Sequence, residues 1–195
     1  MLSLKNSLAV LKKTKALLEG HFVLSSGLHS PNYIQCAKLL SLPHISDKFI
    51  LSLSKKIKKK FKNIDIILAP AMGGLIIGYE IGRILNKETI FCERVKGKFQ
   101  LRRGFNIKPK QRVLIIEDVI TTGKSSLECV KLIKKSKSIL VGFACIIDRS
   151  NKKKLKIKKK IVSQIKLNIP TYNKINLPTY LKKIPVSSPG SRRIT

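Results

Sequence analysis

Apolar and polar positions divide the chain into alternating helix-like and strand-like segments. Leu4, Leu8, Leu11 and Ala16 recur at near-helical spacing with Lys12, Lys13 and Lys15 between them. This predicts an amphipathic first helix in MLSLKNSLAVLKKTKALLEG rather than the unbroken apolar stretch of a signal peptide. In FVLSSGLHSPNYIQC (22–36), Ser-Ser-Gly and Ser-Pro punctuate short apolar pieces, as turns between the strands of a small β-rich cap would. A Lys-rich helix over 46–62 leads into Ile64–Ala69, a β-branched run suited to a strand buried on both faces. Pro70–Gly74 is a tight loop, LIIGYEIGRIL (75–85) a helix, and Thr89–Cys92 a second short strand. RVKGKFQLRRGF (94–105) carries many charges and two glycines and is expected to be an exposed, flexible hairpin or loop. Val113–Ile116 is the clearest buried strand and is expected to end in Glu117-Asp118. A loop from Val119 to Ser126 then opens a helix to about 137, and Ile139–Ile147 returns as a strand ending in Asp148-Arg149.

Strands alternating with helices imply an α/β fold built on a doubly wound, mostly parallel sheet with a small N-terminal cap. The 195 residues read as one folding unit: cap elements over 1–45, the α/β core over 46–150, and a linker, edge strand (161–169) and tail over 151–195. Ligands of such sheets bind at the carboxyl ends of the strands, where Glu117, Asp118 and Arg149 fall.

Composition changes this picture little. Lys, Asn or Asp interrupts every apolar run before the roughly 20 residues that span a bilayer, so a soluble, cytoplasmic protein is expected. Cys36, Cys92, Cys129 and Cys145 show no metal-ligand spacing and read as thiols in a reducing compartment. His21, His29 and His44 lie in turn-rich stretches and are expected at the surface, without a role. The formal charge of +31, from 41 Lys and Arg against 10 Asp and Glu, taken alone would point to nucleic acid. The Lys blocks at 55–60 and 152–160, however, lack interleaved aromatics, so solvated faces are expected and a nucleic-acid partner is not.

Candidate chemistry sits in VLIIEDVITTGKSS (113–126). Backbone N–H groups and hydroxyls around Thr121, Thr122, Gly123 and Ser125, backed by a helix N-terminus, can cradle a phosphate dianion. The adjacent carboxylates of Glu117 and Asp118 suit ribose hydroxyls or positive charge developing on a sugar. A nucleotide-binding Walker loop would need Gly where Asp118 stands, so that reading fails on spacing. The remaining alternative is an ordinary strand end followed by a capped helix.

The segment resembles the phosphoribosyl-pyrophosphate signature of type I phosphoribosyltransferases: four apolar residues, an acidic pair, two further residues, then Thr-Thr-Gly. HFVLSSGLHSPNYIQC (21–36), APAMGGLIIGYEIGRIL (69–85), FCERVKGKFQLRRGF (91–105), IIDRS (146–150) and Pro-Gly-Ser-Arg (189–192) are similar in order and spacing to bacterial orotate phosphoribosyltransferases. The resemblance covers most of 15–150. It implies that Val119, Ile120, Thr121, Thr122, Gly123, Lys124 and Ser125 bind the substrate's phosphoribosyl part, with Glu117 and Asp118 on the ribose hydroxyls. It further implies that Thr121 and Arg149 contact orotate, and that the Pro70–Gly74 loop, with Ala71, Met72, Gly73 and Gly74, holds the pyrophosphate with Mg²⁺, no protein side chain ligating the metal directly. Arg94, Lys98, Arg102 and Arg103 are implied to act on the leaving pyrophosphate from a mobile loop shared across a homodimer, with Lys98, Arg102 and Asp118 as the catalytic candidates.

This chain departs from many such proteins at Ser25, at Met72-Gly73 and at Val95, where a Lys, an aromatic-Lys pair and a Lys are frequent. A phosphoribosyltransferase for another base, or a nucleic-acid-binding regulator on the same fold, would share the 113–126 signature.

Overall fold

A computed structural model of the protein describes residues 2–24, 26–150, 157 and 159–187; Ser25, most of the 152–160 Lys block and the 189–192 run lie outside them. The central sheet grows from β6 (Arg112–Ile120), whose successive side chains serve opposite faces. Leu114 and Ile116 pack into one apolar cluster, and Val113 and Ile115 into another. With β3 (Ile66–Pro70), β4 (Glu88–Val95), β5 (Lys98–Leu101), β7 (Ile139–Asp148) and β8 (Ile161–Lys166) it forms a six-stranded sheet in the order β5-β4-β3-β6-β7-β8. All neighbours are parallel except the β4–β5 hairpin. Helices α3 (Pro43–Lys60) and α4 (Gly74–Leu85) cover one face through Leu53, Ile57, Ile77 and Ile81. On the other face lies α5 (Lys124–Lys135), with Cys129 and Ile133. This is the doubly wound α/β arrangement expected, with β8 as the predicted edge strand.

The cap departs from expectation at its start. Helix α1 (Leu4–Lys13) ends early: the Thr14 hydroxyl donates to the carbonyls of Val10 and Leu11, and Lys15 turns left-handed at φ 55°. The last four residues of the predicted helical stretch instead enter β1 (Leu17–Val23), which pairs antiparallel with β2 (His29–Ile34). After a short α2 (Cys36–Leu40) the chain enters α3. Nor is the cap sheet purely N-terminal. Past the core, α6 (Thr179–Lys182) precedes β9 (Val186–Ser187), which adds to the far edge of β1 to give the order β2-β1-β9.

The expected surface histidines divide. His44 is exposed, but His21 and His29 are buried, and their ring nitrogens Nε2 and Nδ1 lie 2.6 Å apart. Each sits on an inward face of the cap, and the other His21 nitrogen meets the Ile184 carbonyl at 3.0 Å. All four cysteines are buried. Among the described residues no helix is long and apolar enough to cross a membrane.

Candidate active site

The expected end of β6 at Glu117-Asp118 is two residues short. Val119 pairs with Ile147 and Ile120 with Asp148, so the long neighbour β7 keeps the backbone in the sheet. Beyond Ile120, Thr121 and Thr122 turn the chain, and Gly123, at φ 75°, takes the left-handed conformation that a side chain would disfavour. The helix then starts at Lys124, with the Thr122 hydroxyl accepting its N–H at 3.4 Å. Residues 117–126 all line one cavity of about 370 Å³, open to solvent.

Across that cavity stands the turn after β3, of which Ala71 and Gly73 line the wall. Met72 does not join them; its side chain is 80% exposed. Gly74 is likewise outside the lining: it is the first residue of α4, packed so closely that a Cβ would lie 2.8 Å from the Ile116 carbonyl. The Ala71–Met72 peptide is cis.

The two carboxylates differ in setting. Glu117 is buried and accepts the Ser126 hydroxyl at 3.3 Å. Burial first, and Asp118 second, push its pKa up to about 8 against the pull of Ser126 and Arg94. Asp118 accepts the Val119 N–H at 2.7 Å, and burial raises its pKa as well. A pair so placed is reluctant to carry two negative charges until cationic or hydroxyl partners arrive.

Of the hairpin or loop expected over 94–105, the structure shows a hairpin. Arg94 pairs with Phe99 and Val95 with Lys98 in register, and Phe99 is buried and lines the cavity. The Arg94 guanidinium lies 4.2 Å over the Phe99 ring and donates to Glu128 at 2.8 Å. Arg103 donates to Glu93 at 2.7 Å, and Arg102 approaches the same carboxylate at 3.9 Å. Lys98 is exposed at the hairpin tip. None of Arg94, Lys98 and Arg102 lines the cavity. Arg149 follows β7, its N–H donating to the Ile120 carbonyl at 2.9 Å; its half-buried guanidinium has a pKa lowered by desolvation, and it too lies outside the lining.

A family model described as a phosphoribosyl transferase domain matches residues 38–182. The chain belongs to the phosphoribosyltransferase family. An orotate phosphoribosyltransferase of Erythrobacter litoralis is 42% identical over 95% of this chain and 96% of its own length. One from Helicobacter acinonychis is 46% identical over 72% of this chain and 70% of that one. Among solved structures, orotate phosphoribosyltransferase from Aeropyrum pernix aligns with a TM-score of 0.69 over 82% of this chain and 92% of that one; at 24% identity it shows a shared fold.

Two residues of this phosphoribosyltransferase's cavity, Ser126 and Phe99, escape the sequence reading. Ser126 was assigned to the loop before the helix, yet its hydroxyl braces Glu117. Phe99 had a visible signal, a large apolar residue alternating with Leu101 inside a charged segment.

Proposed function

We propose that this phosphoribosyltransferase joins orotate to the ribose 5-phosphate of phosphoribosyl pyrophosphate, releasing pyrophosphate and orotidine 5'-monophosphate, in pyrimidine (UMP) biosynthesis. One observation carries the reading: the turn over 121–125, an acidic pair and a glycine turn all face a single cavity. The length-spanning identity to the E. litoralis protein supports orotate as the base.

In this reading the N–H groups and hydroxyls of Thr121–Ser125, with Val119 and Ile120 behind them, bind the 5-phosphate. Glu117 and Asp118 accept from the ribose hydroxyls. Ala71 and Gly73 face the pyrophosphate, and Thr121 and Arg149 contact orotate, Arg149 matching its carboxylate. Arg94, Lys98 and Arg102 neutralise the leaving group once the hairpin closes.

Mg²⁺ fits these residues as a companion of the pyrophosphate. Among the described residues no three His, Cys, Asp or Glu side chains group as a metal cage, while two carboxylates border the cavity to accept from the ion's waters. When bound, the ion would offset the charge of the phosphate oxygens.

The bond from the anomeric carbon to pyrophosphate breaks as the orotate ring nitrogen bonds to the opposite face, with inversion and oxocarbenium character. No protein nucleophile is needed. The chain's work is alignment, charge neutralisation and exclusion of the water that would attack the same carbon.

The enzyme acts as a homodimer, with hairpin 94–105 reaching the neighbouring site. Ile76 and Tyr79 expose an apolar stripe on α4, continuous with Met72 of the glycine turn and with a groove lined by Leu75 and Phe91. The four buried thiols suit the cytoplasm, and the chain unfolds as one unit.

The test follows loss of orotate absorbance with purified protein, phosphoribosyl pyrophosphate and Mg²⁺, beside Asp118→Asn. Loss requiring all three components, and falling about 100-fold or more in the variant, is expected. No loss with folded protein, or turnover of hypoxanthine, adenine or uracil instead, would overturn orotate as substrate.

A further inference from the structure

Of the three arginines in the hairpin, two are paired with the hairpin itself. Arg102 and Arg103 share Glu93, which directly precedes Arg94 on β4. Arg94 is different: its Nη1 donates to Glu128 Oε2 at 2.8 Å and to the Gly97 carbonyl at 2.6 Å, while its plane covers Phe99. Glu128 belongs to α5, one helical turn beyond Lys124, on the helix whose start forms the phosphate cradle. Among the described residues this is the only ion pair joining the hairpin to another element.

A surface ion pair ordinarily contributes little. Here the pair is one of three restraints on a single guanidinium, and the carboxylate is mostly covered, with 20% of its side chain exposed. Both Arg94 bonds use Nη1, and among the described residues Nη2 and Nε have no hydrogen-bond partner. The guanidinium is therefore oriented with donors to spare, beside a ring that lines the cavity and near enough to Glu117 to oppose the rise of its pKa.

We propose that Glu128 is a positioning residue that holds Arg94, and through it the base of the hairpin, ready for the diphosphate of the substrate. This rests on the function proposed above. An arginine already fixed loses less freedom on binding than one recruited from solvent, so the pair acts on affinity for the diphosphate. The tip, with Lys98, stays free to move while the base remains tied to α5.

A double-mutant cycle on Glu128→Gln and Arg94→Ala, read as the dissociation constant for phosphoribosyl pyrophosphate with Mg²⁺ by calorimetry, tests this without requiring turnover. Glu128→Gln is expected to weaken binding about tenfold in the wild-type background and not at all beside Arg94→Ala, with Glu128→Asp recovering part of the loss. Circular dichroism would establish that each variant is folded. An equal loss in both backgrounds, no loss, or tighter binding in Glu128→Gln would overturn the positioning role. The cycle separates from the substrate assignment: wild-type protein that binds the diphosphate but leaves orotate unchanged refutes orotate alone, and protein that binds no diphosphate refutes both.

Discussion

Asp118 occupies the space where a side chain at residue 73 would stand: a Cβ built on Gly73 lies 2.7 Å from Oδ1 and 2.8 Å from Oδ2. The acidic strand end and the opposite turn are thus fitted to each other across the site. Gly73 has ordinary helical dihedrals, φ −60° and ψ −37°, so its need is for space rather than backbone freedom. Gly73→Ala should fold with little change in melting temperature yet displace the Asp118 carboxylate. A fall in kcat/KM of about 100-fold is expected by steady-state assay, on the scale of a misplacement near 1 Å. Activity within twofold of wild type would show that the carboxylate need not stay where it is.

Glu117 makes activity depend on pH. Burial and Asp118 push its carboxyl up to about 8, so the ionised form, which accepts ribose hydroxyls in the proposed reaction, grows as pH rises through that value. The profile of kcat/KM for phosphoribosyl pyrophosphate should climb between pH 7 and 9 in wild type and be low and flat in Glu117→Gln. Stability moves the other way. Between the ordinary value of 4.5 and about 8 the unfolded chain binds fewer protons at this residue than the folded one, so stability falls as pH rises through that window. Denaturant midpoints at pH 5 and 8.5 should therefore draw apart more in wild type than in Glu117→Gln.

The buried His21–His29 pair has the opposite sign. Burial, then His21 and then Lys174, lower the His29 pKa below its usual 6.5. Below pH 6.5 the unfolded chain takes up a proton that the folded cap resists, so the stability held above 6.5 is lost on acidification. Urea unfolding at pH 7.5 and 5.5 should show a larger loss for wild type than for His29→Asn. An equal loss would mean that the pair accepts a proton without cost.

Tyr79 is 65% exposed on the apolar stripe of α4. Tyr79→Asp should leave the monomer folded while shifting sedimentation from dimer to monomer, and should reduce turnover because the hairpin can no longer reach a neighbouring site. A wild-type protein that sediments as a monomer at micromolar concentration would refute the shared-site reading.

Much of the core was legible because its signals are local. The β-branched run before Glu117, the glycines after Pro70 and the Thr-Thr-Gly turn each specify their conformation through bonds and contacts within a few residues. Carboxylates at the carboxyl end of a central strand followed from that pattern, and Glu117 and Asp118 both line the cavity. The resemblance of the same segment to phosphoribosyltransferases supplied the chemistry, and the family was correctly read from it.

The sequence by itself therefore determined the order of strands and helices in the core, the doubly wound sheet and the identity of the acidic pair, since each depends on hydrophobic period and turn chemistry. Only the tertiary structure decided that Leu17–Gly20 is strand rather than helix, because Leu17 pairs with Ile34 and Leu18 with Tyr33, while His21 just beyond pairs with Val186 on the other edge. It alone buried His21 against His29, carried β6 on to Ile120 beside β7, and tied Arg94 to Glu128. These pairs lie from 8 to 165 residues apart. Strand pairing and burial at such separations are set by which surfaces meet when the core closes, and no local pattern records that.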